Sequence, residues 1–595
     1  MKRRANSLAG FGFALALLGS GALAGTLDPE LESLIDGMRP NEKVDVIVVC
    51  TDRVKRADYD DRDRRAKRRK MVRALKQKAS LCQKLVARGK AVAEDENEQS
   101  LWLVNSVAAR LRVKRIRRIA AREGVDTIYL NRKVVLPPAP AAAEPAGLPG
   151  DPGYTFWNQS DTRVTDLWGM GYYGQNVVIG TMDSGVDLNH QDLAGNWRGG
   201  ANSWFDPAAQ HATPFDASGH GTGVMGIILG GNSTGVDIGA APGAQWIAAK
   251  VFDDAGVSYF GRIHQAFQWM LDPDRDPNTD DAPDIVNNSW VVQGSLNECL
   301  GEFSADIAML NDAGIAVVFA AGNSGSATSS SMEPANDPGS LSVGAVDAFQ
   351  DVLLSSSRGP SACGGGVYPR LVAPGESIYT TALTTGGSNP GATGFSTGSS
   401  FAAPHVAGVM AVLKSAVPDA SPAALRNAIE NGALDIGDIG PDDTSGYGYL
   451  DAVEAYFVLT DARNVDDDID GFTLDVDCND GDPNVYPGAA EVNGDGIDQD
   501  CNGHDLTIQF PRARYKVAKD KFVLLATSDL AGDAALRVEI ALENGGTVRR
   551  SLNWKPVKAY WQKVIKPFAS TFGSAPVSVR VYGPEGEENQ VLELR

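Results

Sequence analysis

Asn176-Val177-Val178-Ile179-Gly180-Thr181-Met182-Asp183 is the stretch whose reading settles the fold class. It is a short apolar run, rich in β-branched residues and closed by a carboxylate, the pattern of a strand buried on both faces. Similar runs follow at Gln245 to Lys250, Ile285 to Asn288, Ile315 to Ala320 and Leu341 to Val346. Helical segments alternate with them up to about residue 460. Such alternation predicts an α/β fold, a mostly parallel sheet with helices on both faces. Reactive groups in open sheets of this class collect at the carboxyl ends of the strands. Asp183 is therefore the first candidate.

Outward from this region, 153–460, the sequence changes character. The chain has 595 residues, 43% hydrophobic and 22% charged, enough for about three to five folded units. Residues 1–24 carry Lys2, Arg3 and Arg4, then an apolar run from Phe11 to Leu18, then Ala22-Leu23-Ala24. That is the form of a cleaved export signal, too short for a membrane span, so a secreted protein is expected. Residues 41–135 read as a small α+β domain with a long basic helix over 61–92 and strands at 44–49, 101–107 and 125–130. Residues 136–152 are a Pro/Ala/Gly linker, 464–504 are rich in Asp, and 505–595 carry the short alternating runs of a C-terminal β-sandwich.

Charge is unevenly spread. The net charge is -21, yet residues 1–150 hold 30 Lys and Arg against 18 Asp and Glu, and the remainder holds 24 against 57. A basic piece of this kind can bind nucleic acid or dock on an acidic partner. The second reading is preferred, because the acidic partner lies in the same chain, so no nucleic-acid partner is expected. Six cysteines in an exported chain can pair. Cys299 with Cys363 and Cys478 with Cys501 are the natural pairs, each within one proposed domain.

Three short segments carry chemistry: Thr181-Met182-Asp183-Ser184-Gly185, Gly219-His220-Gly221-Thr222-Gly223, and Gly398-Ser399-Ser400-Phe401-Ala402-Ala403-Pro404-His405-Val406-Ala407-Gly408. A serine hydroxyl needs a base to become a nucleophile. A histidine can serve near neutral pH, and a carboxylate can fix its tautomer and stabilise the imidazolium. Each segment alone is a common loop string; their order and extended contexts give them weight.

The three segments resemble the Asp, His and Ser signatures of the subtilisin-like serine proteases, whose triad runs in that order along the chain. The resemblance covers about residues 151–460 and implies a serine endopeptidase with Asp183, His220 and Ser400 as its triad. It also implies Asn323, in Phe319-Ala320-Ala321-Gly322-Asn323, as oxyanion donor. Asp284 to Trp290 is similar to the family's substrate-pairing strand, which implies Ser289 and Trp290 at the rim of the pocket for the residue before the cut. Val372-Ala373-Pro374-Gly375 resembles a turn of the family. Ser399 stands where the family has Thr, and Val291 where many members have Gly.

Residues 41–135 resemble the family's inhibitor-type propeptide, which implies an intramolecular inhibitor removed on activation. Residues 466–503 look like a thrombospondin type 3-like calcium repeat, which implies calcium held by Asp466, Asp468, Asp470, Asp477, Asp480, Asp482 and Asp498. Two other classes stay open: a catalytically silent surface or adhesion protein on the same fold, and another serine hydrolase. The Gly-x-Ser-x-Gly elbow of the latter is absent around Ser400.

Overall fold

A computed structural model describes residues 25–61, 63–87, 98–136, 154–155, 157–233, 235–325, 327–460, 478–479, 482, 484–487, 489, 499, 501, 509–527, 537–555, 560–583, 586–591 and 593–594. The chain forms two compact units, one of residues 1–133 with 259–268, the other of residues 134–258 with 269–595.

Seven strands build the central sheet of the second unit: β1 (Val178–Asp183), β2 (Trp204–Phe205), β3 (Gln245–Lys250), β4 (Ile285–Asn288), β5 (Ala316–Ala320), β6 (Leu341–Val346) and β7 (Leu371–Pro374). Their order is β7-β6-β5-β4-β1-β3-β2, with every neighbouring pair parallel. Both faces are covered. Val318 and Ala320 lie in one core with Val406, while Val317 and Phe319, pointing the other way, are 3% and 0% exposed. The chain leaves β1 toward β3 and later returns to β4 on the opposite side of β1. That reversal opens a crevice at the carboxyl ends of β1 and β4. Thr181 pairs with Asn287, so Asp183, the last residue of β1, and Ser289, just past β4, come at the same level of the sheet's carboxyl end.

Two helices complete the crevice: α1 (His220–Leu229) and α2 (Ser399–Ala416). Helix α2 is apolar nearly all round and buried from Phe401 to Lys414, as expected of a helix inside a core. Pro404 lies within it and has no amide to offer Ser400 O, four residues back. The Ser289 hydroxyl donates to that carbonyl instead, at 2.7 Å.

The first unit holds a five-stranded sheet in the order Thr26–Leu27, Val125–Leu130, Lys43–Cys50, Ser106–Arg112, Gln99–Leu101. Two differences from the sequence reading stand out. The fold begins at Thr26 rather than at 41, because Thr26–Leu27 adds to Val125–Leu130 and Leu31 and Ile35 fill the core. The expected strand over 101–107 is broken by a turn at Trp102–Val104, with Asn105 left-handed at φ 51. Within this unit Gln268 accepts the Trp102 amide at 2.9 Å and donates to Ser100 O at 3.2 Å. Asn131 accepts the Gly261 amide at 2.9 Å.

Past residue 508 two sheets share one core, with Phe522 and Leu524 from one and Val538 and Ile540 from the other. Disulfides join Cys299 to Cys363 and Cys478 to Cys501, as expected, and also Cys50 to Cys82. No helix among the described residues is long and apolar enough to cross a membrane.

Candidate active site

Asp183 ends β1 and is 1% exposed. Its Oδ1 accepts from the Ser184 amide at 2.6 Å and is bonded to Nδ1 of His220 at 2.8 Å. Two glycines make that approach possible. Gly219, at φ 85, turns the chain into α1. A Cβ on Gly221 would lie 2.2 Å from Gly185 O, so only glycine lets α1 start against the exit of β1. With Nδ1–H committed to the carboxylate, Nε2 is the basic nitrogen. Burial works against the imidazolium. The charge and hydrogen bond of Asp183, with the charge of Asp216 behind them, outweigh it and raise the His220 pKa above its ordinary value.

Ser400 is the second residue of α2, entered through Gly398 at φ 132. The His220 ring lies 5.4 Å from that of Phe401, the next residue, so histidine and serine share one end of the crevice. Ser400 Oγ is not hydrogen-bonded to His220; it donates to Ser289 O at 3.1 Å. Without substrate, such bonds are often unformed.

Asn323 follows β5. Its Oδ1 accepts the Ser399 amide at 2.9 Å and the Ser399 hydroxyl at 3.1 Å, which leaves Nδ2 as the donor. Ser399 Oγ also accepts the Gly322 amide at 3.0 Å. The hydroxyl that Ser399 shares with Thr makes both contacts.

Three expectations are corrected. Trp290 is 2% exposed and boxed in edge-on by Phe252, Phe303 and Phe319, so its side chain belongs to the core rather than to a pocket rim. β4 is paired on both sides, so its own edge cannot receive a substrate strand; only the residues past Asn288 are free of the sheet. Val372 to Pro374 is edge strand β7, not a turn. Sequence reading also missed Asp216, which takes the Thr222 amide and hydroxyl at 3.0 and 2.7 Å and the Ser218 amide at 2.9 Å. Its signal was an Asp just ahead of a helix start.

Of the proposed metal ligands, Asp466, Asp468, Asp470, Asp477, Asp480 and Asp498 lie outside the described residues. Asp482 accepts the Asn484 amide at 3.1 Å in a turn. A second acidic group, which the sequence reading did not single out, brings oxygens of Asp272, Asp274 and Asp281 within 4.8 Å of one another.

A subtilase family model matches residues 174–448, a span that holds Asp183, His220, Asn323 and Ser400. Over 285 residues the chain is 34% identical to subtilisin of Bacillus pumilus and covers 91% of it, using 47% of its own length. The chain belongs to the subtilase family. Among its relatives, bacillopeptidase F of Bacillus subtilis is 32% identical over 331 residues, 51% of this chain and 22% of that protein. Subtilisin E of Bacillus subtilis is 35% identical over 285 residues, 47% of this chain and 66% of that protein. This subtilase thus spans less than two thirds of these two relatives. A second model, named for copper binding and described as a metal-binding motif, matches residues 477–505, within and just past the Asp-rich segment.

Proposed function

We propose that this subtilase is an exported serine endopeptidase, cleaving protein and peptide substrates through an acyl-enzyme on Ser400. The observation that carries the reading is the 2.8 Å bond between Asp183 and His220 beside the start of the helix bearing Ser400. On substrate binding the Ser400 hydroxyl turns from Ser289 O to His220 Nε2. It attacks the carbonyl carbon as Nε2 takes its proton. Asn323 Nδ2 and the Ser400 amide then face the oxyanion. His220 returns the proton to the leaving amine, and water releases the acyl group by the same route reversed. Asp183 holds the tautomer and steadies the imidazolium.

The N-terminal domain is the inhibitor in this reading, supported by its excess of positive charge against an acidic remainder of the chain. The Asp-rich segment holds calcium: its donors are nearly all carboxylate oxygens, which suit a hard cation better than copper.

The test is labelling with a fluorophosphonate probe after removal of the N-terminal domain, with Ser400→Ala beside it. Labelling at Ser400 in the wild type alone supports the peptidase. Its absence in folded, processed protein favours the silent surface protein.

A further inference from the structure

Two arginines of the C-terminal sheets grip the loop after β6. Arg537 donates to Ala348 O at 2.9 Å and lies 5.6 Å from the Phe349 ring centre. Arg549 donates to Phe349 O and pairs with Glu539 at 2.8 Å and Asp351 at 3.5 Å. Beside this joint lies a cavity of ≈ 530 Å³ whose lining includes Arg358, Arg549, Asp351, Thr444, Ser445 and Thr547. Sites for small ligands span about 300–1,000 Å³.

The two arginines of this cavity are paired unequally. Two carboxylates answer Arg549. Among the described residues none answers Arg358, whose Nε is buried without a hydrogen-bond partner. A guanidinium nitrogen buried without an acceptor is costly, and the planar fork fits a carboxylate through two parallel bonds. One unpaired guanidinium with Asp442 nearby, which accepts the Ser445 hydroxyl at 2.6 Å, suits a singly charged group. A doubly charged anion would also meet Asp351, 76% exposed.

We propose that this cavity binds a peptide carboxylate, either an acidic side chain or a free C-terminus, through Arg358. The site also adjoins the catalytic loop. Arg358 exchanges two hydrogen bonds with Ser330, both at 2.8 Å, and Ser357 Oγ accepts the Ser324 amide at 3.1 Å. The residue holding the ligand is thus clasped to the segment that leaves Asn323. The inference does not depend on the peptidase reading.

The test is calorimetric titration of the full chain as Ser400→Ala, which prevents turnover. Three probes are used: N-acetyl-trialanine, its C-terminal amide, and N-acetyl-Ala-Glu-Ala amide. The expected result is that at least one carboxylate peptide binds, the trialanine amide does not, and Arg358→Gln weakens binding at least tenfold. Binding of N-acetyl-trialanine identifies a C-terminal carboxylate, and binding of the glutamyl peptide an acidic side chain. Thr547→Trp, which fills the cavity and leaves Arg358 in place, is expected to weaken binding as well. Failure of both carboxylate peptides to bind, or unchanged affinity in both variants, overturns the proposal.

Discussion

The Ser399 hydroxyl donates to Asn323 Oδ1 at 3.1 Å while accepting the Gly322 amide at 3.0 Å, so the residue before the nucleophile sets the direction of the oxyanion donor. Asn323→Ala is expected to lower kcat about 10²–10³-fold with KM little changed, the magnitude established for this donor in subtilisin itself. Ser399→Ala keeps Asn323 and its bond from the Ser399 amide at 2.9 Å but removes the bond from the hydroxyl. One hydrogen bond of about 1 kcal/mol corresponds to a roughly fivefold fall in kcat. Ser399→Thr keeps the hydroxyl and should leave kcat unchanged. Steady-state kinetics on a peptide amide separate the three.

Asp216 acts on His220 at a distance, through its charge. His220 serves as base only when neutral, so activity falls as pH drops through its raised pKa. Asp216→Asn removes one cause of the rise and should carry the acid limb of kcat/KM to lower pH. If Asp216 only shaped the start of α1, kcat would fall and the limb would stay in place.

Asp183, His220 and Ser400 could be picked out because each sits at a feature that sequence displays: a strand end, a glycine-flanked helix start, a glycine before a helix. Five of the seven strands were legible because each holds a short run of apolar residues. β2 was not, since Trp204–Phe205 is two residues long and exists only by pairing with β3. β7 was not, since a strand ending in Pro-Gly reads as a turn until its pairing with β6 is seen. Trp290 misled for a different reason. Its neighbours Phe252, Phe303 and Phe319 come from separate segments, and only tertiary packing gathers them around the indole.

His405, five residues past Ser400 on α2, donates Nδ1–H to Phe401 O at 2.9 Å and accepts Asn158 Nδ2 at 2.8 Å through Nε2. Burial lowers its pKa from 6.5 to about 4. As pH falls below 6.5 the unfolded chain takes up a proton that the native chain refuses. Stability is lost until pH reaches about 4, by about 3 kcal/mol in all. His405→Gln removes this contribution, so its stability relative to the His405 parent should rise by about 3 kcal/mol from pH 7 to pH 4.5. Urea midpoints of the Ser400→Ala protein at pH 7 and pH 4.5, with and without the substitution, give the answer.

Glu333 slopes the other way. It is 0% exposed, and its backbone ties the residues past Ser289 in place, its carbonyl accepting the Val292 amide at 2.7 Å and its amide donating to Ser295 Oγ at 3.0 Å. Burial, then the charge of Asp337, push its pKa from 4.5 up to about 7, against the pull of the Gly301 amide. Between those values the unfolded chain has released a proton that the native chain retains. Stability is therefore full below pH 4.5 and falls as pH rises to 7, by about 3 kcal/mol. From pH 4.5 to 6.5 this loss runs against the gain from His405, and the two slopes nearly cancel, so a pH scan of the wild type reveals neither. Glu333→Gln unmasks the histidine: its stability should drop by about 3 kcal/mol from pH 6.5 to 4.5, while the double variant with His405→Gln stays level. A Glu333→Gln curve parallel to the wild type would show that Glu333 carries no such proton.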